Sequence, residues 1–140
     1  MMLPGMKSHF KMVKLIAALA VAAGIGWCAW ITYQASTLTS EKVEKRLLKD
    51  LPIGSSSETV LAYLQQHTGR KPFFATNFHT WERDPADAGA KSVDKYYAGL
   101  AVASVNKMYG LPSGPLFVEV GTHWEFDSNL RLTRLKVTLD

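Results

Sequence analysis

The chain has a single cysteine, Cys28, and it lies inside an apolar run. That excludes a disulfide within the chain and any zinc site of the Cys-x-x-Cys type. The residues after the run hold no thiol at all, which suits an oxidising compartment. There is no phosphate-cradling loop, no dinucleotide glycine motif and no Gly-x-Ser-x-Gly elbow. Only His67, His79 and His123 lie outside the N-terminal flank, and no pair of them has metal-ligand spacing. No basic cluster is interleaved with aromatics, which argues against nucleic acid. The expectation is a protein that is not an enzyme and takes no cofactor or metal.

A strong charge imbalance is also missing once position is considered. The net charge is +4 in 140 residues. Setting aside Lys7, Lys11 and Lys14 leaves 13 basic against 12 acidic residues. The excess is therefore a flank of the apolar run and not a patch on a folded domain.

What is present begins with that run. Leu15 to Tyr33 reads LIAALAVAAGIGWCAWITY, with no charge. As a helix it spans about 28 Å, close to the hydrocarbon thickness of a bilayer. Trp27, Trp30 and Tyr33 gather at its C-terminal end, where amphipathic rings favour the interface. Residues 1–14 carry the lysines and are expected in the cytoplasm, with 15–33 as one transmembrane helix. The C-terminal part is then extracytoplasmic, on an inner-membrane anchor. The alternative is secretion after signal-peptide cleavage. It meets bulky residues where small ones are needed: Tyr33 for a cut after Ala35, and Trp27 for a cut after Ala29. Ala18, Ala22 and Gly26 follow a small-xxx-small spacing that permits weak helix–helix association.

Residues 34–40 (QASTLTS) read as a linker and 41–140 as one α+β domain. Val43, Leu47, Leu48 and Leu51 recur at helical spacing, with Thr39 or Ser40 as the cap. Ser55 and Glu58 form a capping box for a second helix through His67, closed by Gly69. From Phe73 to Trp81 the period becomes two, with Phe74 and Phe78 on one face and Phe73, His79 and Trp81 on the other. Residues 82–92 read as an exposed loop, and Leu100 to Val105 as the core of a strand. Leu116 to Asp127 reads as a long strand with Trp124 inward and Glu119, His123, Glu125 and Asp127 outward. Leu132 to Leu139 returns beside it, with a bulge near Thr133. The order predicts two helices packed on a three- to four-stranded antiparallel sheet.

Two stretches carry a resemblance. Leu51-Pro52-Ile53-Gly54 with the Ser55/Glu58 cap, Val60 and Leu64 is one; Phe126-Asp127, the turn, Arg131-Leu132-Thr133, Leu135 and Val137 is the other. Together, over about 30 residues, they resemble small bacterial envelope domains of the SmpA/OmlA-like and β-lactamase-inhibitor-protein-like type. The resemblance implies a helix–helix–strand–strand–strand unit, exported and tethered, that works as an interaction module without catalytic residues. The lipoprotein cysteine signal of some members is absent, because Trp27 precedes Cys28.

Candidate residues follow from these readings. Trp81 ends a strand beside a charged loop; it either closes the edge of the core or anchors a partner. His79, Arg83 and His123 are the polar residues expected to share such a surface. The expected partner is another envelope protein. The alternative is a secreted or tethered inhibitor of an envelope hydrolase, acting through the 82–92 loop.

Overall fold

The computed structural model describes residues 4–83, 91–114 and 116–140, with side chains from residue 9 onward at the N-terminal end. Two compact units divide the chain, Met1–Thr37 and Leu38–Asp140.

The first unit is one helix, α1 (Pro4–Thr37). Within it, His9–Thr37 is long and apolar enough to cross a membrane. The helix runs past the expected end of the span, so the 34–40 linker shrinks to Leu38 and Thr39. Nothing in Gln34–Thr37 breaks a helix, and the Ser36 and Thr37 hydroxyls donate back to the carbonyls of Tyr33 and Gln34.

The second unit is α+β. Its order is α2 (Ser40–Asp50), α3 (Ser57–Thr68), β1 (Phe73–Arg83), β2 (Ser92–Ser104), a 3-10 turn at Asn106–Tyr109, β3 (Val120–Phe126) and β4 (Leu132–Leu139). The four strands form one antiparallel meander, β1-β2-β3-β4. Thr39 caps α2, accepting from the Lys42 N–H. The cap of α3 sits one residue later than the sequence pattern places it. Ser56 accepts from the Thr59 N–H, while the Ser55 hydroxyl donates to the Pro52 carbonyl. Gly69 ends α3 in the left-handed region (φ 69°).

One face of the sheet carries the core. Val43, Leu47 and Leu51 of the α2 segment and Val60 and Leu64 of α3 are buried with Ala101, Trp124, Phe126, Leu132, Leu135 and Val137. The Trp124 indole N–H donates to the Thr122 hydroxyl, which donates to the Ala103 carbonyl, so the polar atoms of these two buried side chains are bonded. Phe126 faces Leu132, but Glu125 faces Arg134, so Thr133 is the extra residue of a bulge. The bulge returns Leu132 to the core face, where it is 1% exposed.

The expected strand over Leu116 to Asp127 shortens to Val120–Phe126. Asn106 is the reason. Its amide donates to the Pro112 and Val118 carbonyls at 2.9 and 2.8 Å and accepts from the Val120 N–H at 2.6 Å. One buried side chain thus supplies bonds that a longer ladder would have supplied, and Leu116 is left outside at 91% exposure.

The two stretches that carry the resemblance lie side by side. Gly54 and Ser57 donate backbone N–H groups to Leu132 and Leu130, and Leu132 donates to Ser55. Leu130 takes a left-handed conformation (φ 55°), unusual for leucine. Its side chain packs against Gly99, where a Cβ would stand 3.0 Å from Leu130 Cδ2.

Candidate interaction surface

The β1–β2 hairpin does not stay in the plane of the sheet. Its register is continuous on both sides of Asn77, but Asn77 itself has φ 51°. Side-chain alternation inverts there. Phe73 and Phe78, five residues apart, meet edge to face at 6.2 Å, although a regular strand would send them to opposite faces. Lys95 likewise bonds Glu125 at 3.0 Å. Glu125 lies opposite Leu100, and Lys95 is about 16 Å further along an extended strand. Only a bend in the hairpin, toward the face that lacks helices, brings them together. Phe74 stays with the core face, edge to face with Phe126. The expected grouping of Phe74 with Phe78 is therefore corrected.

The bend builds a polar cluster on the helix-free face. Tyr97 donates its hydroxyl to Glu82. The Lys95 ammonium lies 3.4 Å from Glu82, 3.0 Å from Glu125 and 4.7 Å from the centre of the Tyr97 ring. The Tyr97 hydrogen bond holds the Glu82 carboxyl below the usual range against the opposing effect of burial, and Lys95 adds to it. Burial pulls Lys95 down, but hydrogen bonds with Tyr97 and Glu125 prevail and hold it above the usual lysine range. Burial and the Glu82 bond push Tyr97 up. Glu125 keeps only 15% of its side chain exposed. It is not the solvating outward carboxylate that simple alternation predicts. A Tyr97 hydroxyl raised in this way is a donor and not a nucleophile. The cluster is a clasp that holds the bent hairpin. An open cavity of about 590 Å³ lies beside it, with Glu82, Lys95, Arg134 and Lys136 on its walls.

The inversion sends the opposite set of side chains outward. His79, Trp81 and Arg83 alternate along β1. Trp81 is 72% exposed, so it does not close the edge of the core. Beside it on β2 are Asp94, directly across, and Tyr96, across from His79. The His79 ring meets the Tyr96 ring at 4.9 Å and its Nδ1 lies 3.4 Å from Asp94. Both partners of that last pair are half exposed or more, so it contributes little to stability. Tyr96 donates to the Asn77 side-chain carbonyl at 2.7 Å, tying the exposed rings to the bend.

His123 stands apart from this group. It sits on β3 between Val102 and Lys136, on the face of Glu125. The four expected surface residues thus divide into His79, Trp81 and Arg83 on the outer side of the hairpin, and His123 on the helix-free face. Tyr96 and the Glu82–Tyr97–Lys95–Glu125 clasp escaped the sequence reading. The signal that could have found them is an asparagine in mid-strand, since asparagine enters the left-handed region more readily than other non-glycine residues. Most of the expected 82–92 loop, residues 84–90, lies outside the described residues, while β1 extends to Arg83 and β2 starts at Ser92. Among the described residues no group of three or more His, Cys, Asp or Glu is placed to hold a metal ion.

Compared with protein-family models, with curated proteins and with solved structures, the chain matches none.

Proposed function

We propose that this chain is a non-enzymatic, single-pass envelope protein of the inner membrane. Its α1 helix spans the bilayer with the lysine-bearing end in the cytoplasm. The Leu38–Asp140 unit is extracytoplasmic and binds another envelope protein. The span rests on the length and apolarity of His9–Thr37, and the orientation on Lys7, Lys11 and Lys14. The resemblance to SmpA/OmlA-like and β-lactamase-inhibitor-protein-like domains agrees with an exported, tethered module, and its two sequence stretches are hydrogen-bonded neighbours.

The observation that carries the binding role is Trp81. A tryptophan 72% exposed, flanked by His79, Tyr96 and Arg83 on a hairpin held from behind, is a rigid aromatic anchor. Site-specific photocrosslinking from position 96 in living cells tests it. A discrete adduct that disappears with Trp81→Ala is expected. An adduct pattern identical in the Trp81→Ala chain overturns the role of Trp81. Protease added to spheroplasts tests topology: digestion of the C-terminal unit is expected, and protection in intact spheroplasts with digestion only after lysis overturns the orientation. A soluble C-terminal unit lacking residues 1–35 would replace the anchor with a cleaved leader. The Ala18, Ala22 and Gly26 strip is where α1 would meet a second helix.

A further inference from the structure

At the C-terminal end of α3 a cavity of about 490 Å³ opens between that helix end, the end of β2 and the segment after the 3-10 turn. Its wall carries three cations, Arg70, Lys71 and Lys107, and no carboxylate. Among the described residues no ion pair engages any of the three. The unit as a whole is nearly neutral, so a local group of three cations around a concavity, none with a carboxylate partner among the described residues, stands out from it. Lys107 reaches in across Gly69. Its Nζ lies 3.0 Å from where a Cβ on Gly69 would stand, so the glycine serves the helix end and also leaves room for the ammonium.

The lining also includes the apolar residues Pro72, Val102 and Leu111. Phe73, 55% exposed, stands at the rim beside buried Pro72. On the other side of Lys71, Pro72 and Phe73 a second cavity of about 460 Å³ continues along Leu61 and Phe74. Both volumes fall within the range of small-molecule sites. The second groove also includes Gln65 and Lys71, so it is not the continuous apolar channel that an acyl chain needs. Three cations on the wall of one cavity, next to a short aromatic groove, suit a ligand with a compact dianion and a small apolar body. A phosphate monoester has that form, with three terminal oxygens to accept from Arg70, Lys71 and Lys107.

We propose that this cavity binds a water-soluble organic phosphate monoester, its phosphate among Arg70, Lys71 and Lys107 and its apolar group over Phe73. This goes beyond the protein-binding role and uses none of the residues around Trp81.

The test uses the full chain in a neutral detergent, titrated with phenyl phosphate and followed by calorimetry and amide NMR shifts. Saturable binding is expected, with shifts confined to residues 68–74 and 102–113. Inorganic phosphate should bind about tenfold more weakly, because it forgoes the apolar contact. Lys71→Gln and Arg70→Gln, both at exposed positions, should each weaken phenyl phosphate about tenfold while leaving the thermal midpoint in place. Lack of saturable binding overturns the proposal. So does equal affinity in the Lys71→Gln and Arg70→Gln chains. The same amide shifts appearing only in nanodiscs containing anionic phospholipid, and never with phenyl phosphate, also overturn it and assign the cations to the lipid surface.

Discussion

At the residue scale, Asn106 and Tyr97 do most to shape this domain. Asn106 is 2% exposed and satisfies three backbone groups from two separate segments. Asn106→Leu keeps the volume but leaves the Val120 N–H and two carbonyls without their partner. We expect it to cost about 3 kcal/mol, measured as a lower urea midpoint. Tyr97 acts through Glu82. Because the Glu82 pKa is depressed in the folded state, its contribution is complete above the unfolded value of about 4.5 and is lost as pH falls through the depressed folded value. Thermal midpoints measured against pH should therefore drop on the acid side below about pH 4.5, and Tyr97→Phe should flatten that drop. A Tyr97→Phe chain with an unchanged acid limb would refute the link. The opposite sign applies to Tyr63, which donates to Asp50 at 2.7 Å. Burial, with that bond, pushes Tyr63 to about 12. Its contribution is complete below its unfolded value near 10 and fades as pH rises toward 12.

Elements were legible in the sequence wherever one periodicity ran unbroken. The stripe Val43, Leu47, Leu51 and the set Leu135, Val137 are buried as their spacing implies. Even the bulge at Thr133 was readable, because Leu132 had to regain the core face. The hairpin was not. Period-two reasoning assumes that alternation never inverts, and Asn77 inverts it without shifting the register. The Asn77 conformation is thus the element-scale hinge. Asn77→Val, β-branched at φ 51°, should destabilise by about 1–2 kcal/mol. It should also separate Lys95 from Glu125, visible as solvent-like NMR exchange of the lysine ammonium. Asn77→Gly keeps the backbone conformation and should preserve that contact. Gly99→Ala tests the close packing of β2 against Leu130 and Phe126. A Cβ there would stand 3.0 Å from Leu130 and 3.2 Å from Phe126, so a loss of about 1–3 kcal/mol is expected in chemical denaturation.

At the scale of the whole molecule, the buried apolar side chains among the described residues run from Val43 to Val137, within Leu38–Asp140. The charged residues of that unit nearly cancel. A chain beginning at Leu38 should therefore fold without α1. It should show one cooperative urea transition and keep the near-ultraviolet dichroism of buried Trp124. Loss of that signal would mean that α1 contributes to the core.

The sequence by itself determined the parts that depend on composition and local period. These are an apolar helix at the N-terminus, a following α+β unit, and the inward stripes of α2, α3, β3 and β4. Such features follow from how often apolar residues recur along a chain, and hydrophobic burial reads that recurrence directly. Only the tertiary structure decided which polar residues meet. Glu82, Tyr97, Lys95 and Glu125 come from three strands and converge because one asparagine bends a hairpin. Arg70, Lys71 and Lys107 line one cavity because a helix end and a 3-10 turn abut. Contacts between residues far apart in sequence depend on closure and bending, and these leave no period along the chain.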